Sequence, residues 1–71
     1  IKIYPNPVSN ILSIKSEIRL TKVEIFTLLG QRVKIVNKNF KSIDLENLSK
    51  GIYMIKIHSE KGMTVKKLIK K

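Results

Sequence analysis

The sequence predicts an all-β fold, a small sandwich of two layers built from about seven short strands. Three observations carry that prediction. Apolar and polar residues alternate with period two in short runs, and turn residues separate the runs about every ten residues. No apolar pattern with a helical period runs long enough to compete. The most apolar run, Gly51-Ile52-Tyr53-Met54-Ile55-Lys56-Ile57, follows Leu48-Ser49-Lys50 and has a glycine two residues before a tyrosine, the spacing of a tyrosine corner.

Ile1-Lys2-Ile3-Tyr4 alternates and stops at Pro5-Asn6-Pro7. Each proline lacks a ladder donor, and Asn6, preceding a proline, is pushed to extended backbone, so Tyr4 to Asn10 reads as a rigid extended segment ending in a turn. Asn10 is expected to bond its own backbone there. Ile11 to Lys15 is the second strand, with Leu12 and Ile14 on its inner face. Ser16 to Thr21 reads as a loop or a short edge piece.

Val23 to Leu28 and Gln31 to Val36 are β-rich runs joined at Leu29-Gly30, which predicts a hairpin. Val23, Ile25 and Thr27 share one face, and Val33 and Ile35 are expected to face them from the partner strand. Phe26 then covers the second side of the sheet or caps one end of the core. Asn37-Lys38-Asn39 is a turn, Ile43-Asp44-Leu45 a short strand, and Leu48 is expected to tuck under the sandwich.

In the strand from Gly51 to Ser59, the phenol of Tyr53 should pack inward and its hydroxyl reach back to upstream backbone, as in Greek-key sandwiches. Gly51 would supply a φ that residues with a Cβ disfavour. Glu60-Lys61-Gly62 is a hairpin loop, and Met63 to Lys71 the last strand. Strict alternation from Val65 puts Lys67 inward and Leu68 outward, so this strand either bulges near Lys66-Lys67 or is an edge with both faces partly exposed.

Seventy-one residues make one domain of modest stability, because a chain this short buries only about 60% of its unfolded surface. It opens at Ile1 without a methionine, as expected of a piece of a longer protein. Without cysteine it has neither a disulfide nor a thiolate metal site. Fifteen Lys and Arg against five Asp and Glu give a net charge of +10, which raises nucleic acid or an anionic surface as partners. Only Arg19 and Arg32 are arginine, however, and base-edge and bidentate phosphate recognition favours arginine; specific nucleic-acid binding is therefore not expected.

The residues for chemistry are few. His58 is the only histidine and has no cysteine or second histidine to share a metal with. Glu17, Glu24, Asp44, Glu46 and Glu60 are scattered, with no pair set for acid–base work. No glycine-rich phosphate loop is present. Neither an enzyme nor a cofactor or metal site is expected.

Four stretches taken together resemble a known family: Tyr4-Pro5-Asn6-Pro7; Val23-Glu24-Ile25-Phe26 leading into Leu29-Gly30-Gln31; Leu48-Ser49-Lys50-Gly51-Ile52-Tyr53; and Lys66-Lys67-Leu68-Ile69-Lys70-Lys71. In this order they look like the C-terminal sorting domain of type IX secretion cargo from Bacteroidetes (type A, the Por secretion tail family), over residues 1–71. The resemblance implies a seven-stranded immunoglobulin-like Greek-key β-sandwich at the end of a larger cargo. It implies a secretion signal that passes through the periplasm, is recognised by the outer-membrane translocon, and is typically cleaved by a sortase-like protease at the cell surface. It also implies an N-terminal cargo domain and proximity to anionic lipopolysaccharide. Carried onto this chain, translocon recognition falls on Gly51, Tyr53, Lys66, Lys67, Lys70 and Lys71, while Pro5-Asn6-Pro7 and Gly30 are structural. An alternative keeps the fold but makes the domain an immunoglobulin-like accessory binding or adhesion module for a glycan or surface polymer.

Overall fold

A computed structural model describes residues 1–71 as seven strands and no helix. The strands are β1 (Lys2–Tyr4), β2 (Ile11–Lys15), β3 (Leu20–Thr27), β4 (Arg32–Val36), β5 (Ile43–Asp44), β6 (Gly51–Ser59) and β7 (Gly62–Lys70). They form two antiparallel sheets, one in the order β1-β2-β5 and the other β4-β3-β6-β7.

The inner faces of both sheets meet in one buried cluster. Val8, Leu12, Ile14, Ile43 and Leu45 come from the smaller sheet and its connections; Val23, Ile25, Tyr53, Ile55, Ile57 and Leu68 come from the larger one. Alternation explains the selection. Along β2 and β6 every second side chain turns inward, and those positions hold the branched aliphatics that fill a pleated surface well. Leu48 is half-buried against this cluster, as expected.

Several expectations change. β3 begins at Leu20, so the end of the segment read as a loop or a short edge piece belongs to an interior strand. Val33 and Ile35 do not join the core: they are 38% and 48% exposed. The reason is a register shift between Ile25 and Phe26, which pair with Lys34 and Arg32 and leave Val33 as the extra residue. Val36, opposite Val23, packs on the core instead. Phe26 covers the second side of the sheet, where the Lys56 ammonium lies 4.7 Å from its ring centroid. Asn10 engages through its backbone carbonyl, which accepts from Leu45 N–H at 2.7 Å.

β7 resolves its ambiguity without a bulge. Its pairing with β6 runs unbroken from Gly51↔Lys70 to Ser59↔Gly62. Leu68, opposite Tyr53, is fully buried, so Val65 and Lys67 face outward, the reverse of the alternation expected from Val65. β7 is an edge strand, and the proline segment closes half of that edge. Asn6 Nδ2 donates to Lys67 O at 3.0 Å, and Asn6 Oδ1 accepts from Ile69 N–H at 3.0 Å. Val8 N–H then donates to Ile69 O at 2.8 Å, and Lys71 N–H donates to Val8 O at 2.9 Å. Pro5 and Pro7, both preceded by cis peptide bonds, flank the asparagine and carry no N–H of their own.

Candidate recognition surface

The tyrosine corner is built as its spacing implies. Tyr53 is 7% exposed, and its hydroxyl donates to Ser49 O at 2.7 Å. The bond ties the β5–β6 turn to the strand it feeds. Gly51 sits at φ +155°, which side chains with a Cβ rarely adopt, and it is exposed. Of the two, only Gly51 lies on the surface.

The four terminal lysines do not share a surface. Lys66 and Lys70 lie on the inner face of β7, opposite Ile55 and Gly51, and Lys70 is only 8% exposed. Opposite Gly51 the aliphatic stem of Lys70 packs inward, while its Nζ reaches Lys71 O at 3.4 Å. Lys67 and Lys71 are exposed. Lys66 and Lys67 line an open cleft with Lys2, Tyr4 and Asn6, where the free edge of β1 approaches that of β7.

On the outer face of the larger sheet lies a charge cluster that spacing did not reveal. Glu24, 9% exposed in the middle of β3, accepts from Arg32 Nη1 at 3.0 Å and bonds His58 Nε2 at 2.7 Å. Lys22 Nζ stands 3.8 Å away. The Arg32 bond first, and the His58 bond next, hold the Glu24 carboxyl below the usual carboxylate range, against the desolvation that works the other way. The ion pairs of Lys22 and Arg32 and the His58 hydrogen bond all converge on this one carboxylate. The signal was an acid inside a central strand, with an arginine across the hairpin and a histidine on the neighbouring strand. Only the register brings them together. The cluster offers a fixed, satisfied carboxylate with no adjoining cavity, an arrangement that holds strands in register. No group of three His, Cys, Asp or Glu is placed to hold a metal.

Residues 2–71 match the family described as Secretion system C-terminal sorting domain. The chain belongs to this family. No curated protein and no solved structure matches it. The sorting domain is a C-terminal signal for type IX secretion, in a family of signals rather than enzymes. Membership implies attachment to an N-terminal cargo, interaction with the type IX machinery, and export to the cell surface or beyond. It gives no support to the accessory-module alternative.

Proposed function

We propose that residues 1–71 act as a single folded address label whose exposed terminal strand is touched by the outer-membrane translocon during passage from the periplasm, and that a sortase-like protease then removes it. The observation that supports this reading is the family match across residues 2–71, coextensive with the two-sheet fold. The connectivity fits an immunoglobulin-like Greek key: the chain passes between sheets at β2–β3, β4–β5 and β5–β6, and β6 lies between β3 and β7 with a tyrosine corner at its start.

Within this reading the six candidate residues divide. Gly51 and Tyr53 shape the turn, Lys66 and Lys70 line the inner face of β7, and Lys67 and Lys71 are presented to the partner. Deleting Lys66 to Lys71 would remove the buried Leu68 as well, so charge reversal is the cleaner probe. With residues 1–71 fused to a periplasm-directed reporter in a type IX host, Lys67→Glu with Lys71→Glu should lower export while the melting temperature holds. Export equal to the unmodified fusion would remove the lysines from recognition.

A further inference from the structure

The β3–β4 hairpin turns at Thr27-Leu28-Leu29-Gly30, with Gly30 N–H donating to Thr27 O at 3.0 Å and Gly30 at φ +92°. Its two tip residues are Leu28, 63% exposed, and Leu29, 98% exposed. Neither joins the buried cluster or the partly buried shell around it. Turn chemistry at these positions favours Asn, Asp, Ser or Pro, and two bare leucines help neither the turn nor solubility. The fold therefore does not account for them. Thr27 pairs with Tyr53, so the tip continues the ladder beside Ile52, itself 45% exposed and paired with Ile69. Lys50 and Lys71 lie at the same end of the sheet, exposed and without a carboxylate partner.

We propose that this hairpin tip, with Leu28 and Leu29 as its anchor, docks into an apolar pocket framed by carboxylates on a protein of the export machinery; the proposal rests on the sorting reading above. A projecting pair of leucines calls for a concave apolar receiver, since a buried apolar anchor is what dominates a small interface. The unpaired lysines beside it call for acidic groups on the rim, which steer the encounter and fix its orientation. A second copy of this chain is disfavoured because each copy carries +10. A bilayer would need its cations gathered in one plane around the tip. Here lysines are spread over every strand but β5 and over three of the six connections, and Glu46 lies in the β5–β6 turn at the same end.

The test uses Leu28→Asn with Leu29→Asn, because asparagine suits a turn and should leave the melting temperature of the 71-residue chain unchanged or higher. In the reporter fusion, export should fall about tenfold or more, as removal of an interface anchor does. Replacing Val33 and Ile35, also exposed on the same hairpin though less so, by Thr should leave export near that of the unmodified fusion. If the unmodified fusion is not exported, the sorting reading fails and this proposal with it. Normal export by the asparagine variant would overturn the docking site alone. So would unchanged export alongside leucine-dependent binding to phosphatidylglycerol vesicles, or alongside a leucine-dependent dimer in sedimentation; either result would reassign the tip to a membrane or to a second copy.

Discussion

Two side chains show how single residues fix this fold, and they differ in how openly the sequence declares them. The Tyr53 hydroxyl makes one part-buried bond, to Ser49 O. Tyr53→Phe keeps the ring and loses that bond, so it should cost about 1–2 kcal/mol in denaturant unfolding. An unchanged midpoint would mean the corner is packing alone. A Cβ on its partner in the turn, Gly51, would meet nothing within 4 Å, so any penalty there comes from φ rather than from a clash. Gly51→Val should cost about 1–3 kcal/mol for that reason. Both roles are legible from a glycine–X–tyrosine spacing at the head of an apolar run. Glu24 is not, because its partners meet only across three strands. Its carboxyl titrates lower in the folded chain than in the unfolded one, so the stabilisation it gives is present above the unfolded value and is lost as pH falls through the folded one. Unfolding measured against pH should therefore show wild type more stable than Glu24→Gln at neutral pH, with the gap closing in acid. A gap independent of pH would show that the Arg32 and His58 bonds do not set it.

At the scale of elements, the alternating runs placed β1, β2, β4, β5, β6 and β7 nearly residue for residue, because alternation is a property of one strand at a time. What one strand cannot show is its register with the next. The shift after Ile25 turns Val33 and Ile35 away from the core, and nothing in Val33-Lys34-Ile35 betrays it. In the same way, Leu68 faces inward because β7 is locked to β6 along its whole length, whatever alternation from Val65 suggests. The proline segment was legible as rigid but not as a strand cover. Asn6 satisfies the outward carbonyl of Lys67 and the outward N–H of Ile69, groups that would otherwise invite another chain to add a strand. Asn6→Ala should lower stability by about 1–2 kcal/mol and raise concentration-dependent association in light scattering. A variant equally stable and monomeric would show that Val8 closes the edge without help.

For the whole molecule, the candidate surface was half legible. The lysines and the glycine–tyrosine turn stand out in the sequence, and Tyr53 is buried as its spacing implies, yet the fold sends Lys66 and Lys70 inward. The bare leucines at Leu28 and Leu29 look like ordinary strand ending until their exposure is seen. A domain of this size holds only about 3–5 kcal/mol in reserve, and Leu68→Ala would remove about 2–5 kcal/mol from a fully buried position. An export label read as a folded object should thus fail together with its core. The most direct measurement is the partition of a reporter carrying residues 1–71 between periplasm and medium, in a type IX host and in the same host lacking its translocon. Reporter in the medium of the first and retained in the periplasm of the second is the expected result. Retention in both, with the domain folded, would contradict the claim that these two small sheets carry the address.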